Sequence, residues 1–238
     1  MGRIFEKRKD RMFARWAKTS KAFTKLGKEL AIAVKLGGPD PNSNPRLRMA
    51  VQTARSLNMP KDRIENAIRR ASSKDEASLQ EIIYEGYGPH RVAIVVQTAT
   101  NNPTRTVANV RSIITHHEGS LGTTGSLSYI FDRRGTFTIK PPAGDLDELE
   151  LDLIDHGLEE IVEIEDGLQI YTTFENFGAM QRALEERKVE VLSAGLQYFA
   201  KTFATLTPEQ EVEVNELIEE LEEDDDVQHV FHNIASGD

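Results

Sequence analysis

The stretch KLGGPDPNSNPRLRMAV, residues 35–51, contains a complete stop and restart of helical structure. Gly37 and Gly38 favour the left-handed conformation that ends a helix, and the prolines that follow prevent an early restart. Asn44 is a good N-cap, and Pro45 suits the first position of a new helix. Because helices are predicted on both sides, we interpret this stretch as a corner inside one domain and not as a linker between domains.

Three helices are predicted in this N-terminal part of the chain. Apolar residues recur at helical spacing in residues 20–36, after Pro45 and again after Pro60. Their small apolar side chains predict a thin core, so this domain would be only marginally stable alone. We expect the corner between the first two helices to fix the direction of Arg46 and Arg48.

The charge of the chain is strongly divided along its length. Residues 1–74 contain 19 Lys and Arg against 6 Asp and Glu, whereas the other 164 residues contain 10 basic and 33 acidic residues. A basic segment attracts phosphate backbones because binding releases their counterions. An alternative is that the basic and acidic parts simply attract each other, since a charge surplus does not identify a ligand.

The basic helices are the main candidate site. Arginine forks match phosphate oxygens, and no base-reading pattern is visible, so we expect recognition of backbone and shape. Aromatic residues interleave with the N-terminal charges, where they could stack on bases or anchor a helix to the core. The candidate nucleic-acid-binding residues are Lys7, Arg8, Lys9, Arg11, Arg15, Arg46, Arg48, Arg55, Lys61, Arg63, Arg69 and Arg70.

Strand patterns begin after residue 79. Residues 91–98 and 126–131 are rich in β-forming residues and predict strands, with a helix at 103–117 between them. A final helix opens on Thr207 with Gln210 three positions later, which is a capping-box pattern, and a last strand follows.

Residues 135–200 predict a strand-helix-strand-strand-helix-strand series, which is typical of ferredoxin-like folds. Its first helix opens on Asp145 with Glu148 three positions on, another capping-box pattern. Asp166-Gly167 is a favoured two-residue hairpin turn.

These elements predict an α+β multidomain protein. An N-terminal basic three-helix domain is followed by two ferredoxin-like α/β domains, one inserted in the other. The expected ranges are 1–79 for the basic domain, 80–132 plus 204–238 for the first α/β domain, and 133–203 for the inserted one.

Two further segments could bind an anion. TNNPTRTVANVR, residues 100–111, places Asn102, Arg105 and Arg111 around a helix start, which suits an anion but equally suits ordinary capping. The loop EGSLGTTGS, residues 118–126, offers backbone amides and the hydroxyls of Thr123 and Thr124 to a phosphate, or it is a cap and a turn.

No catalytic or metal-binding pattern is found. The chain has no cysteine, no HExxH motif and no Walker or dinucleotide-binding glycine motif. We interpret EEDDD, residues 222–226, as a solvated helix end in preference to a magnesium site. We therefore expect no enzyme activity, no metal and no cofactor. Without a long apolar run or disulfides, we expect a cytoplasmic protein that does not enter membranes.

Several motifs together resemble the YebC/PmpR family. They are NPRLR at 44–48, NMPKDRIENAI at 58–68, YEGYGP at 84–89, TNNPTRTVANVR at 100–111 and GSLGTTGSLSYIFDRRG at 119–135. The resemblance implies a helical domain followed by two α/β domains, with no catalytic activity or cofactor. Family members are described as probable transcriptional regulatory proteins. The resemblance also implies a link to translation, through mitochondrial activators and the relief of ribosomes stalled on proline-rich sequence.

The sequence therefore predicts a non-enzymatic, nucleic-acid-binding regulator of gene expression, most simply a monomer that binds DNA. One alternative is a translation factor that binds ribosomal RNA and the ribosome. A second alternative is a protein-interaction scaffold in which the charge division is only intramolecular.

Overall fold

The computed structural model describes residues 2–73, 79–141, 144–164 and 167–235, with side chains from Ser20 onward. Its first part is entirely helical. Helix α1 spans Gly2–Gly37, α2 spans Pro45–Ser56 and α3 spans Lys61–Ala71. The break between α1 and α2 lies where the glycines and prolines of the quoted stretch predict it.

Four strands form a first sheet with the order β3-β1-β2-β8. They are β1 (Gln80–Tyr87), β2 (Ala93–Thr100), β3 (Ser120–Leu121) and β8 (Val227–His232). Helix α4 (Pro103–His116) connects β2 to β3, and helix α7 (Pro208–Glu223) precedes β8.

Four more strands form a second sheet with the order β5-β6-β4-β7. They are β4 (Phe131–Ile139), β5 (Leu158–Ile164), β6 (Gly167–Thr173) and β7 (Val191–Ala200), joined through helices α5 (Leu146–Ile154) and α6 (Phe177–Glu186). The pairs β5-β6, β6-β4 and β4-β7 are all antiparallel. This is the ferredoxin-like order, and the predicted α+β fold class is confirmed.

The chain forms two compact units. The first comprises Met1–Ile82, Gln97–Val110 and Glu219–His229. The second comprises Ile83–Val96, Arg111–Ile218 and Val230–Asp238. The division into three domains at residues 79, 132 and 203 stays a prediction.

Each unit has its own apolar core. In the first, Leu30 of α1 and Leu47 of α2 are completely buried in a cluster with Ala54 and Ile64. Burying a leucine contributes about 1.5–3 kcal/mol, so these two side chains are main contributors to the packing of the three helices. In the second unit, Phe137 and Met180 are completely buried between the second sheet and its helices.

The predicted N-caps at Asn44, Asp145 and Thr207 are confirmed, whereas the reciprocal contact of Glu148 with Asp145 stays a prediction. Asn44 Oδ1 accepts from Leu47 N at 3.1 Å, and Asp145 Oδ1 accepts from Asp147 N at 3.0 Å. Thr207 and Gln210 form the reciprocal box, with Thr207 N donating to Gln210 Oε1 at 3.0 Å. In the hairpin β5-β6, Gly167 pairs with Ile164 and begins β6, so its predicted place in the turn is wrong. Asp166 of the predicted turn lies outside the described residues.

The predicted strand at residues 126–131 is wrong. Residues 124–130 form turns, and Phe131 begins β4. Leu127, Ile130 and Phe131 are buried, and the spacing of these three residues suits a turn of helix better than an alternating strand. A second difference is β1, which the sequence analysis did not assign.

Candidate nucleic-acid interface

Asn44 ties the end of α1 to the start of α2. While its Oδ1 caps α2, its Nδ2 donates to Ala33 O at 2.7 Å and to Gly38 O at 2.8 Å. The side chain is buried, and a Cβ on Gly37 would lie 2.7 Å from its Cγ. Only glycine at position 37 therefore lets Asn44 close the corner, and the corner is a built part of the helical core.

Arg46 is occupied inside the protein. Its guanidinium forms forked hydrogen bonds with Glu29 of α1, at 2.8 and 3.1 Å, and with Glu81 of β1. Burial would lower the pKa of Arg46, but the hydrogen bonds to the two carboxylates outweigh it and raise that pKa. Arg46 thus links α1 and α2 to β1 and has little capacity left for a phosphate.

Arg48 is half-buried beside the corner. Its Nη1 lies 3.4 Å from the carbonyl oxygens of Pro41 and Asn42. The corner therefore does orient Arg48, but by holding it against the corner's own backbone.

The remaining candidates on α2 and α3 are exposed to solvent. The guanidinium carbon of Arg63 lies 5.8 Å from the centre of the Phe23 ring. Residues seven positions apart on a helix share a face. Arg63 and Arg70 on α3 have this spacing, as do Arg48 and Arg55 on α2. The exposed candidates are Arg55, Lys61, Arg63, Arg69 and Arg70.

Two of these exposed residues have neighbours on their own helix. Lys61 Nζ lies 3.5 Å from Glu65 Oε1 with both side chains largely exposed, and Arg69 donates to Asn66. Exposed pairs of this kind contribute little and exchange readily with other partners. The N-terminal candidates Lys7, Arg8, Lys9, Arg11 and Arg15 belong to α1, but their side chains lie outside the described residues.

The lysines of α1 face the acidic end of α7 and β8. Lys21 Nζ lies 3.6 Å from Glu223, and Lys25 Nζ donates to Gln228 O at 3.4 Å. Burial lowers the pKa of Lys25. Some basic side chains of the N-terminal segment therefore contact the acidic C-terminal part of the same chain.

Asp226 is the centre of this contact. Its buried carboxylate accepts hydrogen bonds from Lys28 Nζ at 2.7 Å, Arg105 Nη2 at 2.7 Å, Thr106 Oγ1 at 2.8 Å and Thr100 Oγ1 at 3.3 Å. Burial would raise the pKa of Asp226, but the hydrogen bonds from these partners outweigh it and lower that pKa to about 2. The expectation that residues 222–226 form only a solvated helix end is wrong for Asp226.

The predicted anion site at the start of α4 is filled by the protein itself. Asn102 Oδ1 accepts from Arg105 N at 3.1 Å, which is ordinary capping, and the Arg105 guanidinium is paired with Asp226. Arg111 is exposed further along α4.

Backbone amides in and beside the glycine-rich loop, residues 118–126, are bound by a carboxylate of the protein itself. The Glu85 carboxylate accepts from Gly125 N at 2.9 Å and from Leu127 N at 2.7 Å, while Gly122 N donates to the backbone oxygen of the same residue at 2.8 Å. These amides are the ones that a phosphate would use. Thr123 and Thr124 remain exposed at the tip of this loop.

Glu85 and Asp226 are the two important residues that the sequence analysis missed. Both are carboxylates with partners far along the chain, about 40 residues for Glu85 and up to 198 for Asp226. The one available signal was for Asp226, which directly precedes a predicted strand, where an unpaired carboxylate would be costly to bury. Glu85 lies in β1, which was not predicted, so no comparable signal was available for it.

Among the residues that the structure describes, no group of three or more His, Asp or Glu side chains is arranged to hold a metal ion. None of the described helices combines the length and the apolar character that a membrane span requires.

Comparisons with known proteins cover nearly the whole chain. Residues 3–74 match the model of the TACO1/YebC protein N-terminal domain, and residues 79–234 match that of the TACO1/YebC second and third domain. A crystal structure of a conserved hypothetical protein from Aquifex aeolicus superposes with a TM-score of 0.78 at 36% identity, covering 92% of this chain and 91% of the other.

Curated relatives match over their full length. A probable transcriptional regulatory protein of Anaeromyxobacter dehalogenans is 55% identical, over 99% of this chain and 100% of its own. Relatives with the same description in Myxococcus xanthus and Flavobacterium johnsoniae are 49% and 48% identical, each over 98% or more of both chains. With two family models covering the three-helix segment and both sheets, this chain belongs to the TACO1/YebC family.

Proposed function

We propose that this protein is a non-enzymatic regulator of gene expression that binds the phosphate backbone of nucleic acid, with DNA as the first candidate. The observation that carries the proposal is the exposed set of basic side chains on α2 and α3, namely Arg55, Lys61, Arg63, Arg69 and Arg70. The description of its relatives as probable transcriptional regulatory proteins supports a regulatory role.

Three other basic residues of this unit are already committed to contacts within the chain. Lys28, Arg46 and Arg105 each donate to a carboxylate of the chain, so recruiting them would leave a carboxylate unpaired. The exposed arginines can instead exchange water for phosphate oxygens and form two parallel hydrogen bonds with each phosphate.

The helical spacing on α3 suits a backbone contact. Arg63 and Arg70 are separated by about 10.5 Å along the helix axis, with Asn66 between them on the same side. Double-stranded nucleic acid carries one negative charge for roughly each 1.7 Å of its axis, so both side chains can meet phosphates of one duplex. We include the basic N-terminal part of α1 in the proposed surface on the basis of its sequence alone.

A second candidate function is translational regulation through ribosomal RNA. The proposed contacts are made to phosphates and carry no base sequence, which suits a structured RNA as well as a DNA duplex. Arg111, Thr123 and Thr124 are exposed on the second unit and would serve as secondary contacts in either case. We further propose that the protein acts as a monomer in the cytoplasm and performs no catalytic step.

Two measurements test the proposal. Five phosphate contacts predict that log K for a DNA duplex falls against log salt with a slope of about −4 to −5. No measurable affinity for DNA or RNA at low salt would refute the proposed function. Crosslinking in cells, followed by sequencing of bound DNA and bound RNA, separates the two candidates, because promoter peaks support transcription and dominant ribosomal RNA supports translation.

A further inference from the structure

The second sheet has two different faces. On one, Phe137 and Ile139 of β4 and Ile170 of β6 pack against α5 and α6. Successive residues of a strand point to opposite faces, so Arg134, Thr136 and Thr138 of β4 lie on the other face. Thr136 pairs with Tyr171 of β6 and with Gly195 of β7, and these cross-strand partners share its face.

Two aromatic rings and one guanidinium lie together on this second face. The rings of Tyr171 and Phe199 are 5.4 Å apart with an interplanar angle of 85°. The guanidinium carbon of Arg134 lies 5.9 Å from the centre of the Phe199 ring. All three side chains are partly exposed, so the rings form a surface feature with the buried Thr136 beneath them.

The surface beside the rings is polar. A Cβ on Gly195 would meet no other atom of the described residues within 4 Å, which leaves open space in the middle of the face. Next to it, Ser193 Oγ donates to Thr138 Oγ1, and Thr138 Oγ1 donates to Gln169 Oε1, each at 2.9 Å. Hydroxyl and amide groups therefore flank the rings. A purely apolar partner would instead require aliphatic side chains at these positions.

The charges on this face are mixed. Residues 133–203 are acidic overall, and β5 places the exposed Glu160 opposite Tyr171, whereas β6 and β7 contain no Asp or Glu. The carboxylate of Asp132 at the end of β4 is paired with Lys201 at 2.9 Å. Arg134 Nε lies 3.6 Å from Glu159, with about a third of each side chain exposed, and such a long pair can yield to a phosphate.

We propose that this face of the second sheet, formed around Arg134, Tyr171, Gly195 and Phe199, binds single-stranded RNA by stacking unpaired bases on its rings. Four-stranded sheets with exposed aromatic side chains bind single-stranded RNA in this way, and hydroxyl or amide groups beside them can contact the 2′-hydroxyl. Arg134 contributes a cation for the backbone and a planar group for stacking. This inference rests on the proposed function and specifies a second ligand, distinct from the duplex expected at α2 and α3.

The test measures binding of the full-length protein to a fluorescein-labelled, unstructured 12-nucleotide RNA, to the same sequence as a duplex, and to the same sequence as single-stranded DNA. Phe199→Leu and Tyr171→Leu remove the rings and keep apolar cover over Thr136. Each is expected to weaken binding of the single-stranded RNA about tenfold and to change duplex binding less than twofold. The matched control is Phe174→Leu, which removes an exposed ring stacked on Arg133 elsewhere in this unit and is expected to change neither.

Gly195→Leu keeps the test decisive if a ring variant does not fold. It fills the open space without removing any ring, and we expect it to weaken single-stranded RNA binding by a similar factor. Unchanged RNA affinity in Gly195→Leu would overturn the proposal, as would equal losses for duplex and single strand. Equal affinity for single-stranded DNA would overturn the assignment to RNA. If a variant of this face changes the sedimentation mass of the protein but not its RNA affinity, the face is an interface between two copies of this chain. That result would overturn the proposal.

The outcomes also separate this inference from the proposed function. If the protein binds neither duplex nor single strand at low salt, both fail. If it binds duplex, and no variant of the sheet face alters single-strand binding, only this inference fails.

Discussion

Lys28 Nζ lies 2.7 Å from Asp226 Oδ1 and joins the C-terminal half of α1 to the residue that precedes β8. The same nitrogen donates to the backbone oxygens of Ala99 and Asp225, at 3.0 and 2.7 Å. All three ammonium protons are therefore used, and this lysine of the basic N-terminal segment is a structural contact.

Replacing Asp226 by Asn should destabilise the protein in a pH-dependent way. The ordinary pKa of an aspartate, 3.8, is lowered to about 2 in the folded state. Such a carboxylate stabilises the fold fully above pH 4, and its contribution, roughly 2 kcal/mol, is lost as the pH falls through 2. Urea unfolding of wild type and Asp226→Asn should therefore differ at pH 7 and converge near pH 2. Asp225→Asn, at an exposed neighbouring carboxylate, is the control, and an equal effect there would contradict the assignment.

Replacing Arg55, Arg63 and Arg70 together by Gln should weaken nucleic-acid binding without unfolding the protein. The salt dependence should become shallower by about 2 to 3 units, since each lost phosphate contact removes 0.7–0.9. Fluorescence anisotropy across a salt series gives both numbers. The control variant changes Lys140, Arg182 and Lys188 of the second unit to Gln and so removes the same number of positive charges. If it reduces the affinity and the salt slope equally, net charge alone is responsible.

Arg46→Gln should destabilise the fold and leave nucleic-acid binding unchanged. It leaves Glu29 and Glu81 without their shared partner, so unfolding should become easier by about 1 kcal/mol. The slope of log K against log salt should not change, because the guanidinium is committed to those carboxylates. Denaturation and salt titration of one preparation measure both, and a shallower slope would return Arg46 to the binding surface.

Asn44→Ala should be among the most destabilising changes in the helical core. It removes the cap of α2 and leaves the oxygens of Ala33 and Gly38 without their donor, with a combined cost of about 2–3 kcal/mol. Thermal and urea unfolding measure this cost. Asn42→Ala, at an exposed position of the same corner, should cost far less, and similar losses at both positions would disprove the special role of Asn44.

Glu85→Gln tests the internal anion of the glycine-rich loop. The amide offers one acceptor oxygen where the carboxylate offers two, so one of the amides of Gly125 and Leu127 loses its partner. We expect a loss of about 1–3 kcal/mol and faster hydrogen exchange at these two amides. Glu118→Gln, an exposed change near the same loop, should leave exchange at both amides unaltered, and unchanged exchange in Glu85→Gln would show that the carboxylate does not hold the loop.

Much of the local structure could be predicted from the sequence. The breaks at Gly37 and Pro45 and the caps at Asp145 and Thr207 depend on residues within a few positions of one another. The ferredoxin-like order of the second sheet followed from the succession of its predicted elements. The strand expected at residues 126–131 failed because Glu85, about 40 residues earlier, holds the backbone amides of that segment in turns.

The sequence by itself determined the helix ends marked by caps and glycines, the α+β class and the basic character of the first 74 residues, because capping, glycine conformation and charge are local properties. It did not determine the start of α1, which begins at Gly2 although the helical pattern was found in residues 20–36. Only the tertiary structure decided which charges remain available to a ligand. Lys28 and Arg46 resemble Arg55 and Arg63 in sequence, but the first two meet carboxylates that the fold brings beside them, up to 198 residues away. Ion pairing depends on distance in space, and that distance exists only once the chain has folded.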